Sequence, residues 1–354
     1  MDDSTRATYE ARAGEWAERR PPRLGQQASA FSHRCLPSRP LVDLGCGPGS
    51  YFSALGRPLI GLDATGAMLD LARAEAPDAA LVQADLAQLP FAPGRLGGAW
   101  ARASYLHLPR VELPAALAQL HRSLAVGAPL EMTMRVGTLE GWLADDEFPG
   151  RFFAEWQADD LARVVAGAGF DVDAVEQRGT WLTVPATRAQ TLPDFVGPGM
   201  AVLVCGLNPS LVAADAGFGY AGPTNRFWPA ATAAGLVSPG TARRPLAALA
   251  VDHVGMTDLV KRATPRAREL TPADYQAGAV RVARVVEWLR PALVLFVGLA
   301  GWRAAVDRRA RAGLQPESFG GAPAYVMPST SGLNAATTMA QLVEHMRAAR
   351  VVVP

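Results

Sequence analysis

LVDLGCGPGS, residues 41–50, decides the reading of the first half of the chain. The apolar run LVDL fits a buried strand, and the glycines at 45, 47 and 49 fit a tight loop opening a helix. Such a loop lets a ligand approach the backbone closely. Working outward, RPLIGLD (57–63), AALVQAD (79–85), GAWARAS (98–104) and APLEMTMRV (128–136) are further short apolar runs bounded by Gly, Pro or Asp. Between them lie the amphipathic stretches AMLDLARAEA (67–76) and LPAALAQLHRSLA (113–125). This alternation predicts a parallel sheet with helices on both faces. Asp63 and Asp85 close the second and third strands, so polar signals fall at three successive strand ends. A carboxylate at Asp63 can accept both hydroxyls of a ribose. The short stretch from Gly49 to Asp63 leaves a cramped first helix.

At 354 residues the chain fits two domains, each large enough to bury its own core. The turn-rich segment VPATRAQTLPDFVGPGM (184–200) puts the boundary near residue 190, giving domains 1–190 and 191–354. With 49% hydrophobic and 19% charged residues the composition is that of a soluble globular protein. No apolar run reaches the length of a bilayer span and the start, MDDSTRATYE, is polar, so a cytoplasmic protein without membrane contact is expected. Three cysteines form neither a C-x-x-C pair nor a disulfide framework, and five scattered histidines add no metal-ligand spacing, so no metal is expected. Cys46 and Cys205 lie in apolar runs and read as small buried hydrophobes. Charge is uneven. Residues 1–190 hold 18 Lys+Arg against 23 Asp+Glu, whereas residues 191–354 hold 16 against 10. Any nucleic acid is therefore expected on the second half.

The second half repeats the alternation through AVLVCGLN (201–208), VRVARVVEWLR (280–290), PALVLFVGL (291–299) and PAYVMPS (323–329). The chain has only three asparagines, Asn208, Asn225 and Asn334, all in this half. Asn208 breaks a strand at Asn208–Pro209, at the strand end where α/β folds bind ligands. Tyr220, flanked by Gly219 and Gly222, reads as a mobile aromatic, and the small-residue loop VMPSTSGLNA (326–335) carries one exposed apolar residue, Leu333. An amide, a stacking ring and an apolar wedge on a basic domain suit an enzyme that extracts a base from duplex DNA.

Residues 8–185 resemble class I S-adenosylmethionine-dependent methyltransferases, on the strength of the glycine loop and the two strand-end aspartates. The resemblance implies S-adenosylmethionine as cofactor, with Gly45, Gly47 and Gly49 around its methionine part, Asp63 on the ribose and Asp85 at the adenine amino group. Asp43 and Leu86 complete the implied cofactor site. The methyl acceptor is not legible. Amino-methylating DNA enzymes carry an N/D-P-P-Y motif after the fourth strand, where this chain has RASYLHLPR (102–110), and no Pro-Cys dipeptide exists for cytosine C5 chemistry. His107 reads as a helix-end structural residue ahead of a general base.

Residues 200–348 resemble the mismatch-specific uracil/thymine DNA glycosylases of the uracil-DNA glycosylase superfamily. The motifs are GLNPS (206–210), GPTNRFW (222–228), GMTDLVKRATPRARELTPADY (255–275) and MPSTSGLNA (327–335). The resemblance implies that Asn208 positions the attacking water and that Tyr220 stacks on the flipped base. It places Ser329 near the target nucleotide, with Ser331, Gly332 and Asn334 in the same DNA-contacting loop and Leu333 as the wedge. Ser210 stands where the family has glycine, either narrowing the pocket floor or adding a hydroxyl. Asp258 replaces a neutral or basic residue, and three roles stay open for it: a protonated neighbour of the base, a side chain pointing away, or a second water activator. The only lysine, Lys261, reads as a phosphate contact or a solvated charge. The expectation is thus two three-layer α/β/α domains, Rossmann-like and uracil-DNA-glycosylase-like, on a monomer. The second would hydrolyse the N-glycosidic bond of uracil or thymine in double-stranded DNA with G·U or G·T mispairs, without cofactor. The alternatives are a methyltransferase whose second half only binds nucleic acid, and a non-catalytic damage sensor.

Overall fold

In the computed structural model, which describes residues 1–143 and 145–352, LVDL forms strand β1 (Leu41–Leu44), buried along its whole length. Burial on both faces is the state of a central parallel strand. Strands β2 (Leu59–Asp63), β3 (Ala80–Gln83), β4 (Gly98–Arg102) and β5 (Pro129–Val136) join it in a parallel sheet ordered β3-β2-β1-β4-β5. The sheet grows to one side of β1 through β2 and to the other through β4. That reversal opens a crevice beyond the carboxyl end of β1, which is where the glycine loop starts.

Helices α1 (Asp3–Arg19), α2 (Gly25–Ser32), α3 (Phe52–Leu55), α4 (Gly66–Glu75), α5 (Leu113–Ser123) and α6 (Ala158–Gly167) accompany this sheet. Trp100, Phe31, Leu55 and Phe52 centre the core between sheet and α2–α3. As the short Gly49–Asp63 stretch requires, α3 is a single turn. The strands of the far edge were not read from the sequence. There β6 (Glu140–Trp142), β7 (Phe152–Trp156), β8 (Phe170–Val172), β9 (Glu176–Arg178) and β10 (Trp181–Arg188) extend the sheet, β10 running antiparallel to β5. Strand β3 stops at Gln83, two residues before Asp85.

The chain divides into two compact units, Met1–Ala189 and the part from Gln190 onward. In the second, β11 (Val202–Gly206), β12 (Val254–Asp258), β13 (Leu293–Val297) and β15 (Ala324–Met327) form a parallel sheet ordered β12-β11-β13-β15, edged by antiparallel β14 (Gly313–Leu314). Helices α7 (Leu211–Ala216), α8 (Phe227–Ala233), α9 (Pro245–Asp252), α10 (Pro272–Leu289), α11 (Leu299–Ala305) and α12 (Met339–Val352) complete it. A capping box between Thr271 and Asp274, with Pro272 at the first helical position, starts α10, and VRVARVVEWLR forms its second half and C-cap. Both units are mixed α/β, with helices and parallel strands interleaved. No described helix is long and apolar enough to cross a membrane.

Candidate functional sites

A cavity of about 460 Å³ in the first unit is lined by Asp43, Gly45, Gly47, Asp63 and Leu86, together with aromatic walls that include Tyr9, Trp16 and Tyr51. Gly45 and Gly47 sit at φ 68° and 53°, a left-handed backbone that favours glycine. Asp63 shapes the loop directly: its Oδ2 accepts the Gly47 N–H at 2.9 Å, while Oδ1 accepts the Thr65 N–H at 3.0 Å and the Thr65 hydroxyl at 2.8 Å. A carboxylate has about four lone-pair sites. Three are used, so Asp63 keeps room for one ribose hydroxyl rather than the two expected.

Asp43 is buried at the end of β1, and its Oδ2 has no hydrogen-bond partner. Burial, reinforced by the neighbouring Asp63 carboxylate, pushes the Asp43 carboxyl up to about 8. Burial also raises Asp63, against the hydrogen bonds from Thr65 and Gly47. Two adjacent buried carboxylates with an open acceptor fit a ligand that brings a positive charge beside hydroxyl donors. The residues present therefore fit the ammonium and ribose of S-adenosylmethionine.

Two expected cofactor residues stand elsewhere. Gly49 does not line the cavity, because its Cα is packed so that an added Cβ would lie 3.0 Å from the Phe52 ring and 3.3 Å from the Ala72 backbone. Asp85 is also outside the lining; it accepts the Ala87 N–H at 2.8 Å and the Met1 ammonium at 2.7 Å, and its neighbour Leu86 faces the cavity instead. His107 lines the cavity with both nitrogens committed. Nδ1 lies 2.7 Å from the Phe152 carbonyl and so carries the proton, leaving Nε2 to accept from the Tyr9 hydroxyl at 2.8 Å. Burial pulls its pKa down to about 4, so the ring is neutral. Arg151 in turn donates to the Tyr9 oxygen at 3.0 Å and pairs with Asp146 at 2.5 Å.

In the second unit the chain leaves β11 through Leu207, Asn208 and Pro209 into α7. The Ser210 side chain caps that helix, accepting the Ala213 N–H at 3.2 Å, which is the use of the hydroxyl the sequence left open. The Asn208 Nδ2 faces three acceptors: the carbonyls of Pro209 (3.1 Å) and Arg262 (3.0 Å) and the Thr264 hydroxyl (2.8 Å). A reversed amide would set oxygen against two carbonyl oxygens, so the orientation is fixed and Oδ1 is left as the free acceptor. Thr264 is itself buried and held by its own donation to the Arg266 carbonyl at 3.1 Å. Nothing in its sequence context announced this.

Asp258 ends β12 and pairs in register with Gly206 of β11. Its Oδ1 and the Tyr220 hydroxyl both crowd the side of Gly206 where a Cβ would project. Burial raises the Asp258 carboxyl to about 6, with Lys261 and Arg281 lowering it and Asp194 raising it. Tyr220 is packed rather than free. It stacks on Phe227 with centroids 4.0 Å apart, its hydroxyl is buried without a partner, and Trp228 secures the adjacent Gly219 carbonyl at 2.9 Å. Lys261 is neither a phosphate contact nor a solvated charge. Its ammonium lies 3.1 Å from Asp194 and donates to the Leu192 carbonyl. Asp194 also takes Arg281 at 2.6 Å and the Thr257 hydroxyl at 2.6 Å, and Arg281 donates to the Asp258 carbonyl. This buried cluster braces the end of β12.

The loop after β15 is tied down by Arg226, which donates to the carbonyls of Thr337 (2.5 Å), Ser331 (3.2 Å) and Asn334 (2.7 Å). Asn334 donates to the Ser329 carbonyl at 2.8 Å, Ser329 Oγ accepts the Ser331 N–H at 3.2 Å, Ser331 Oγ accepts the Leu333 N–H at 3.3 Å, and Gly332 packs on Thr224. Leu333 stands out of this braced loop 96% exposed. Asn208, Asp258 and Ser329 thus all follow or end parallel strands at one end of the sheet. Among the described residues no group of three or more His, Cys, Asp or Glu is placed to hold a metal ion.

Residues 41–127 match the model of a methyltransferase domain, and residues 193–350 match that of the uracil DNA glycosylase superfamily. Among solved structures, the chain is similar to the CcbJ methyltransferase from Streptomyces caelestis, at 17% identity over 53% of this chain and 100% of that one, with a TM-score of 0.44. It is also similar to the 1,6-didemethyltoxoflavin-N1-methyltransferase of Burkholderia thailandensis, solved with 1,6-didemethyltoxoflavin and S-adenosylhomocysteine, at 19% identity over 52% and 84% of the two chains and a TM-score of 0.41.

Proposed function

We propose that the second unit is a monofunctional DNA glycosylase that hydrolyses the N-glycosidic bond of uracil or thymine in G·U and G·T mispairs, and that the first unit binds S-adenosylmethionine. The observation that carries the glycosylase reading is the Asn208 amide, whose pinned Nδ2 leaves Oδ1 to orient a water. An amide cannot take the water's proton as a carboxylate would. Bond breaking therefore runs ahead of attack, through an oxocarbenium-like sugar, and the base departs as an anion. Uracil and thymine bear that charge better than cytosine does. Tyr220 offers the flipped base the ring face that Phe227 does not cover, and Leu333 fills the space left in the duplex.

Asp258 lies beside Tyr220, and an ionised carboxylate there would repel the departing anion. Its raised pKa supports the neutral acid, which can donate to the base, and the negative charge developing on the base raises it further. The commitment of the Lys261 ammonium to Asp194 and Leu192 supports water as nucleophile over a lysine amine. In the first unit Asp43 would face the cofactor's ammonium and Asp63 one ribose hydroxyl, with Gly45 and Gly47 allowing close approach. The cofactor supplies a methyl group on a sulfonium for transfer to a nucleophile.

The test is single-turnover excision from a G·U duplex by the full chain in the presence of a chelator. Asn208→Ala should slow excision by about a hundredfold or more, the value of positioning the water. Full activity in that variant, or activity lost to the chelator, would reject the assignment.

A further inference from the structure

The loop that follows β12 does more than reach Asn208. The Arg262 carbonyl and the Thr264 hydroxyl hold the Asn208 amide, and the Thr264 N–H in turn donates to the Pro209 carbonyl at 3.1 Å. The loop is braced from within: Arg262 reaches Asp274 at 2.8 Å and the Glu269 carbonyl at 3.0 Å, while Thr264 and Leu270 are buried. Between those two anchors Arg266 and Arg268 are exposed, and among the described residues neither has a carboxylate within ion-pair distance. Two unneutralised guanidiniums are therefore presented on a rigid support, two and four positions along the chain from Thr264, at the sheet end that carries Asn208 and Asp258.

We infer that Arg266 and Arg268 grip the phosphodiester backbone of the strand bearing the excised base. This rests on the glycosylase reading of the same face. A planar fork of donors suits phosphate oxygens, and a braced loop loses little freedom on binding. Because the backbone of this loop also orients Asn208, holding the phosphates and aiming the water belong to one rigid element.

The experiment measures binding of the full chain to a fluorescein-labelled duplex with an uncleavable 2′-fluoroarabino analogue of deoxyuridine opposite guanine, across a salt series. Each phosphate contact contributes about 0.9 to the slope of log K against log salt. The double variant Arg266→Gln/Arg268→Gln should therefore flatten the slope by about 1.8. The control is Arg284→Gln/Arg290→Gln, which removes equal charge from the last turns of α10 and its cap, toward the opposite end of the sheet. It should leave the slope unchanged. An unchanged slope in the first variant, equal flattening in both, or no binding by the parent chain would overturn the inference. Excision activity in the parent chain is scored separately: binding that obeys the slope test without excision removes the glycosylase reading and leaves the phosphate grip, and excision without the slope change does the reverse.

Discussion

The two units treat their charges in opposite ways. In the first, among the described residues, at least eleven of eighteen arginines reach a carboxylate, from Arg6 on Asp3 to Arg178 on Glu176. In the second, among the described residues, only Lys261, Arg262 and Arg281 of sixteen basic residues do so. The first unit neutralises its surface and keeps two unneutralised carboxylates inside a cavity, where a small ligand with a positive charge is satisfied. The second holds fewer carboxylates than basic residues and leaves most of its arginines outside and unpaired, where a polyanion can meet them. A net charge near zero for the whole chain conceals both designs.

The sharpest way to break this contrast is at Asp194, the buried anion on which Lys261 and Arg281 converge. Burial would raise its carboxyl, but Arg281 and Lys261 outweigh burial and hold it below the ordinary range. Asp194→Ala leaves two buried cations unpaired and should cost about 3 to 5 kcal/mol in chemical denaturation of the second unit. The stabilisation from Asp194 is present above the unfolded carboxyl pKa and is lost as pH falls through the depressed folded value. Unchanged stability of the variant at neutral pH would mean the cluster contributes nothing.

In the first unit, Asp63→Ala removes a ribose contact and the brace on Gly47, and should weaken binding of S-adenosylhomocysteine by roughly 2 kcal/mol, about 30-fold. Calorimetry on the folded variant decides it, equal affinity placing the ribose elsewhere. With Asp43 raised to about 8, a ligand ammonium binds its ionised form, so affinity should rise with pH toward that value, with proton release on binding below it.

In the proposed glycosylase reaction Asp258 acts in its neutral form. Its pKa of about 6 lies above the unfolded value, so the stability it contributes is full below about pH 4 and is lost as pH rises through 6. Excision should likewise slow above pH 6, approaching tenfold per unit, whereas Asp258→Asn should give a flat profile and outpace the parent at pH 8. A parent rate that climbs with pH would instead make Asp258 the water's base. The smallest effect is expected at Leu333. Leu333→Ala should leave the thermal midpoint unchanged, since the side chain packs on nothing, and slow excision only a few-fold. A stability loss would mark Leu333 as a loop anchor rather than a wedge.

Sequence alone determined the pieces built from neighbours in the chain. The LVDL strand, the glycine loop, the one-turn α3, the break at Asn208–Pro209 and the projecting Leu333 all follow from apolar periodicity and turn chemistry over a few residues. Strand β12 did not follow, because VGMTD carries a glycine whose purpose is distant: a side chain at Gly255 would strike Met200 and the Phe195 carbonyl. The same holds for Thr264, which fixes Asn208 across 56 residues, and for Phe227, which turned an expected mobile Tyr220 into a stacked one. Gly49 looked like part of the cradle and proved to be a packing position against Phe52. Only the tertiary structure decided these, and the proton affinities of Asp43 and Asp258 with them. A side chain's type is local, but its partners, and the water it has lost, are set by whichever segments the fold brings against it.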